Sequence, residues 1–145
     1  MEKTDRASVS RSPEDTHRLA AELLTDLRAG SILALHGELG SGKTCFVQGL
    51  AKALGIDRAV NSPTFAIVNE YPGHPPLYHM DLYRIYSAAE ALDLGLDEYL
   101  HGRGITAIEW AERVSGLLPP TTLHIRFEPG NEQDERVITI RKGES

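Results

Sequence analysis

The residues best suited to chemistry stand in one short stretch, residues 37–44, which reads GELGSGKT. It matches the pattern G-x-x-x-x-G-K-[ST] at every fixed position. Glycines let the backbone curl so that successive N–H groups point at phosphate oxygens, and the lysine adds a mobile cation on the β- and γ-phosphates. The adjacent threonine offers a hydroxyl to Mg²⁺. The predicted phosphate-binding residues are Glu38, Leu39, Gly40, Ser41, Gly42, Lys43 and Thr44.

Two acidic residues, Asp81 and Glu109, each follow a short apolar or aromatic run that is typical of a buried strand. Such strands deliver their last residues to the carboxyl edge of an open α/β sheet, where ligands bind. A magnesium-bound triphosphate needs an acid there, so at least one of the two should serve the metal. The pattern leaves open which acid binds directly and which works through water.

Other polar residues give weaker signals. Thr64, in the stretch SPTF, could sense a γ-phosphate as switch loops do, although a threonine that simply starts a strand fits the spacing equally well. His79 and Asp81 would share a strand face, which is weak support for a metal by itself. The six histidines form no H-E-x-x-H pair or Cys/His cluster, which argues against zinc. Cys45 is more plausibly a packing residue than a nucleophile.

The elements that must position these residues are visible in the pattern. SPED at residues 12–15 predicts a helix start capped by Ser12. SILALH predicts a strand before the glycine-rich stretch, and KTCFVQGLAKALG predicts a helix after it. The alternating segment from residue 123, a polar turn at residues 129–135 and RVITIRK predict a C-terminal β-hairpin. We therefore expect an α/β fold: a single P-loop NTPase-type domain over residues 1–145, with a mostly parallel central sheet and flanking helices.

The composition of the chain argues against several classes of protein. The 145 residues carry a net charge of −6 and no run of Lys or Arg, which argues against direct binding of nucleic acid. One cysteine excludes an internal disulfide and fits a reducing cytosol. The apolar runs are far shorter than the ~20 residues that span a bilayer, and the N-terminus lacks the apolar core of a signal peptide. We expect a cytoplasmic protein without a membrane partner, with residues 1–11 as a flexible tail.

Four motifs together carry a family resemblance. GELGSGKT, SPTF, HMDLYRI and IEWAER, in this order, resemble the TsaE (YjeE) family of small bacterial P-loop ATPases. The resemblance implies ATP and Mg²⁺ as cofactors, a role in forming threonylcarbamoyladenosine in tRNA, and the TsaD and TsaB proteins as partners, with tRNA reached only through them. It implies phosphate binding by Lys43, magnesium binding by Thr44 and Glu109, and a water-positioning role for Asp81. It also implies a switch-like loop at Thr64.

Further parts of the resemblance are less specific. Trp110 neighbours the implied metal ligand, and Glu14 and Thr16 loosely match an N-terminal stretch near the nucleotide. Residues 131–135 are weakly patterned, and we assign them no role.

Two other activities remain open: a P-loop kinase of a small metabolite, for which no arginine-bearing lid is visible, and a nucleotide-gated binding module with little hydrolysis. A GTPase is disfavoured because the chain has no N-K-x-D motif.

Overall fold

The computed structural model describes residues 6–38, 40–61 and 68–143. Within these ranges, strands and helices alternate through most of the chain. The strands are β1 (Arg6–Ser10), β2 (Ile32–His36), β3 (Val68–Tyr71), β4 (Leu77–Asp81), β5 (Ile105–Glu109), β6 (Leu123–Pro129) and β7 (Arg136–Lys142). The α-helices are α1 (Pro13–Leu24), α2 (Lys43–Ala53), α3 (Ala88–Asp93) and α4 (Leu96–Leu100), and a 3₁₀ helix covers Ala111–Leu117.

The seven strands form one sheet in the order β1-β7-β6-β2-β5-β4-β3. Its four central strands, β6, β2, β5 and β4, run parallel to one another, while β7, β1 and β3 pair antiparallel at the two sides. The expected α/β fold with a mostly parallel centre and a C-terminal hairpin is confirmed. The parallel strands bring the ends of β2, β4 and β5 to one edge, where the polar residues of interest lie.

Helices α1 and α2 cover one face of the sheet. Ser12 caps α1 as expected, its hydroxyl oxygen accepting a hydrogen bond from the Asp15 N–H at 3.1 Å. The two helices approach closely at Gly49, because a Cβ there would lie 2.8 Å from the Cα of His17. Leu33, Leu35 and neighbouring apolar residues of the sheet fill the core beneath these helices. Helices α3 and α4 and the 3₁₀ helix pack with a second apolar cluster on the opposite face.

The N-terminal segment differs from the expectation. Arg6–Ser10, which falls within the expected flexible tail, is strand β1 and pairs antiparallel with β7, with Ser8 opposite Ile138. The pairing uses backbone groups, whereas the two apolar side chains, Ala7 and Val9, remain exposed, so the segment has no buried apolar face and its short alternation is a weak signal. No helix in the described part of the chain is long and apolar enough to cross a membrane.

Candidate phosphate and metal site

The glycine-rich stretch forms a tight turn between the end of β2 and the start of α2. Gly37 has a φ of +155°, and a Cβ at this position would lie 2.5 Å from Ser41 Oγ and 3.0 Å from the carbonyl oxygen of Phe127. Only glycine therefore fits here. Helix α2 begins at Lys43 without a side-chain cap, so the positive end of its dipole faces the turn.

Lys43 lies folded against this turn. Its side chain is buried, and Nζ donates a hydrogen bond to the carbonyl oxygen of Gly37 at 2.6 Å. The same Nζ lies 4.4 Å from the centre of the Trp110 ring, a cation–π contact. Trp110 follows β5 directly with a φ of +61°, a conformation that turns the chain sharply beside the site. This geometry keeps the lysine cation at the mouth of the turn.

The two predicted acids meet at the carboxyl edge of the sheet. Asp81 ends β4, Glu109 ends β5, and the two residues are paired in register across the parallel strands. Glu109 is 4% exposed, and its Oε2 accepts a hydrogen bond from Thr44 Oγ1 at 3.2 Å. This contact joins the start of α2 to the end of β5. A hydroxyl can donate its hydrogen in this way and still present a lone pair to a cation.

Asp81 lies in a less enclosed position. Its Oδ1 accepts a hydrogen bond from the backbone N–H of Tyr83 at 3.0 Å. Burial raises the pKa of the Asp81 carboxyl above its usual value, the Tyr83 N–H opposes that rise, and the nearby charge of Glu109 adds to it. A carboxylate of raised basicity is better able to draw a proton from water.

His79, to which the sequence gave little weight, lies at the centre of this arrangement. It is fully buried on the face of β4 that Asp81 shares, and its Nε2 is 2.6 Å from Glu109 Oε2. The histidine therefore contacts an acid on the neighbouring strand, and not the acid two residues away in sequence. The contact could not be found from spacing because it depends on the pairing of β4 with β5, which places His79 opposite Ala107.

A second pair of histidines adjoins the turn from the other side. His36, the last residue of β2, has Nε2 3.0 Å from His124 Nδ1, and the two rings stack with centroids 5.2 Å apart. Burial, and then the positive charge of Arg126, lowers the pKa of His36 to about 4. Near neutral pH this pair is uncharged, so it adds no cation to the phosphate site.

A cleft of about 570 Å³ extends from the turn toward the hairpin of β6 and β7. Gly37, Ser41 and Phe127 line one part of it, and Gln133 and Arg136 line another. Arg136 Nη2 donates a long hydrogen bond, 3.4 Å, to the carbonyl oxygen of Gly40. The hairpin turn, to which the sequence assigned no role, thus borders the candidate phosphate site.

The other predicted site residues divide into two groups. Glu38, Gly40, Ser41 and Gly42 lie in the turn or at its rim, whereas Leu39 and Thr64 lie outside the described residues.

The geometry is compatible with a phosphate and a hard cation. Ser41 Oγ is buried without a hydrogen-bond partner among the described residues, which suits it to a bound oxygen ligand. Thr44 Oγ1 and the Glu109 carboxylate, whose Oε2 accepts the Thr44 hydrogen bond, bring two oxygen-bearing groups together, the kind of ligand that Mg²⁺ prefers. The described residues contain no group of three or more His, Cys, Asp or Glu side chains able to hold a metal.

The sheet order and this strand–turn–helix unit define the class, an α/β protein of the P-loop type. Within that class the chain belongs to the TsaE family, since the family model for the threonylcarbamoyl adenosine biosynthesis protein TsaE matches residues 10–138. The family acts in the biosynthesis of threonylcarbamoyladenosine in tRNA.

Individual relatives agree with this assignment. The tRNA threonylcarbamoyladenosine biosynthesis protein TsaE of Bacillus subtilis is 47% identical over 130 residues, which cover 89% of this chain and 80% of the relative. The protein of the same name from Treponema pallidum is 46% identical over 117 residues, with 81% and 87% covered. The crystal structure of Bacillus subtilis YdiB superimposes with a TM-score of 0.82 at 39% identity, covering 96% of this chain and 86% of that one.

Proposed function

We propose that this protein binds Mg²⁺-ATP on its glycine-rich turn and hydrolyses it, and that it does so together with TsaD and TsaB to support formation of threonylcarbamoyladenosine in tRNA. The observation that carries the proposal is the contact of Thr44 with Glu109, 3.2 Å between oxygens. It brings a hydroxyl from the helix that follows the turn and an acid from the neighbouring strand to one point beside Lys43. A phosphate-bound magnesium ion requires this combination.

The residues have separable roles in this proposal. The N–H groups of the turn and Lys43 bind the β- and γ-phosphate oxygens, and Ser41 Oγ adds a side-chain hydroxyl. Thr44 and Glu109 hold Mg²⁺, which when bound neutralises charge on those phosphates. Asp81 orients the attacking water and, with its raised pKa, is suited to accept a proton from it. The cleft of about 570 Å³ has room for the ribose and base.

Hydrolysis by the protein alone should be slow. Many phosphoryl-transfer enzymes gain most of their rate from an arginine, which is often supplied by a partner. Arg113 lies near the site, but its guanidinium stacks over Trp110 at 5.6 Å and donates to the Tyr83 carbonyl oxygen at 3.4 Å. We therefore infer that TsaD–TsaB completes the site when it binds, and that ATP hydrolysis is coupled to that assembly.

The test is phosphate release from ATP with and without the purified TsaD–TsaB pair from the same source. We expect a low rate alone, a clear rise with the pair, and no activity in Lys43→Ala. Lys52→Ala is the matched control, because Lys52 is exposed in the last turn of the same helix and should leave the activity unchanged. No rise together with no binding to the pair would refute the proposal and favour a kinase acting on a small metabolite.

A further inference from the structure

His79 touches the proposed metal site but has no part in the function described above. Its imidazole is fully buried, and its Nε2 lies 2.6 Å from Glu109 Oε2. An ionised carboxylate can only accept hydrogen bonds, so Nε2 carries the hydrogen and donates it. Glu109 Oε2 is therefore held from two directions, by Thr44 from α2 and by His79 from β4.

We propose that His79 is a positioning residue that fixes the Glu109 carboxylate in the orientation in which it meets Mg²⁺ beside Thr44. The inference rests on the proposed nucleotide function and deepens it. Of the two residues that hold Glu109, Thr44 must also serve the cation, so its hydrogen bond has to tolerate a change of geometry when the metal arrives. His79 has no role as a ligand of the cation, so its hydrogen bond can hold the Glu109 carboxylate in one orientation throughout.

The backbone around His79 is suited to that task. Strand β4 pairs on both sides, with Asn69 of β3 and Ala107 of β5 opposite His79, so the position is fixed by two ladders of hydrogen bonds. The small side chain of Ala107 leaves room for the imidazole, and Glu109 stands two residues further along the same face of β5. A ligand held on paired strands keeps its orientation better than one held on a loop.

His79 is poorly explained as a residue that only fills the core. Its Nδ1 is buried with no hydrogen-bond partner among the described residues, so the contact with Glu109 is made at the cost of an unsatisfied nitrogen. An apolar side chain of similar size would leave no buried polar nitrogen without a partner among the described residues. A role toward the metal accounts for a histidine here, since partners that orient metal ligands typically change metal affinity by roughly 10–100-fold.

The experiment measures the affinity of a non-hydrolysable ATP analogue by calorimetry, once with MgCl₂ and once with EDTA. The ratio of the two affinities reports the contribution of the metal. We expect His79→Phe to lower that ratio by about 10-fold or more while leaving the affinity in EDTA near the wild-type value. An unchanged ratio, or an equal loss in both conditions, would overturn the inference.

Further variants distinguish the loss of the contact with Glu109 from a general loss of folding. Leu77→Ala lies on the same face of β4 and removes a fully buried side chain, so it should destabilise the protein but keep the ratio. His79→Gln can place an amide N–H near the position of Nε2, whereas His79→Asn is one bond shorter. We expect Gln to keep more of the ratio than Asn, and equal losses in the two would contradict the proposal even if His79→Phe failed to fold.

A readout without nucleotide separates this inference from the proposed function. In ¹H–¹⁵N NMR spectra, the Nε2–H of His79 should give a protected signal that is lost in Glu109→Ala. The absence of that signal in the wild type would overturn the inference alone. Conversely, a wild-type protein whose affinity for the ATP analogue does not respond to MgCl₂ would overturn both proposals, whereas a normal response in every His79 variant would remove only this one.

Discussion

Replacing Gly37 by alanine should damage the phosphate site through two effects that can be separated. The first is conformational: at a φ of +155° an L side chain is strained, which costs roughly 1–2 kcal/mol. The second is steric: the new Cβ would lie 2.5 Å from Ser41 Oγ and 3.0 Å from the Phe127 carbonyl oxygen. Overpacking of this kind typically costs about 1–3 kcal/mol. We expect Gly37→Ala to lower the free energy of unfolding by about 2–5 kcal/mol.

Gly40→Ala is the matched control in the same turn. Gly40 has a φ of +76°, but a Cβ at this position meets no atom of the described residues within 4 Å. This variant carries the conformational cost alone, about 1–2 kcal/mol. The difference between the two variants therefore isolates the collision with Ser41, whose hydroxyl is one of the groups proposed to bind phosphate.

Urea unfolding gives the two free energies, and calorimetry with Mg²⁺-ATP gives the two affinities. Gly37→Ala should lose much of its affinity, because displacing Ser41 misplaces the N–H groups that would bind phosphate. Gly40→Ala should lose far less. Equal losses of stability and affinity in the two variants would show that the collision does not matter and would refute the reasoning.

Three more perturbations test other parts of the structure. Glu109→Ala should weaken nucleotide binding by about 10-fold or more in MgCl₂ but not in EDTA, and a normal affinity in MgCl₂ would refute the assignment of Glu109 to the metal. The pKa of His36 in the folded protein is about 4, below the ordinary value of 6.5. As the pH falls, the unfolded chain therefore takes up a proton at His36 before the folded chain does. The free energy of unfolding should decrease as the pH drops from about 6.5 to 4. Urea unfolding across that range should show a loss of up to roughly 3 kcal/mol that is absent in His36→Gln; equal pH dependence would contradict it. Gly49→Ala places a Cβ 2.8 Å from the backbone of His17, so thermal unfolding should show a loss of about 1–3 kcal/mol while Mg²⁺-ATP affinity measured by calorimetry stays normal. Wild-type stability in that variant would contradict the close packing of α1 and α2.

The parts of the site that follow from local pattern could be predicted. Consecutive residues indicate the strand, turn and helix around Lys43. The location of Asp81 and Glu109 follows from the rule that parallel strands end at one edge of the sheet. The contacts across strands could not be predicted. His79 reaches Glu109 only because β4 pairs with β5, and His36 reaches His124 only because β2 pairs with β6. A sequence gives the period of a strand but does not give the identity or register of its neighbour.

The same limit explains the expected N-terminal tail and one contact of the C-terminal hairpin. Arg6–Ser10 has only two apolar residues, Ala7 and Val9, and both are exposed, so the short alternation reports no buried face and the strand depends on pairing with β7. Nothing in the sequence distinguishes Arg136 from other surface arginines, yet the hairpin brings its guanidinium to the carbonyl oxygen of Gly40. In both cases the deciding interaction joins residues that are far apart in the chain.

The position of β1 also has a consequence for how the protein is made. Among the strands in the described part of the chain, β1 is synthesised before all others and β7, its neighbour in the sheet, after all others. The central parallel strands can pair while the backbone groups of β1 still lack their partner strand. Pairing between segments so distant in the chain is slow. Docking of β1 onto β7 is therefore expected to be a late step in the folding of this sheet, after the central strands have paired.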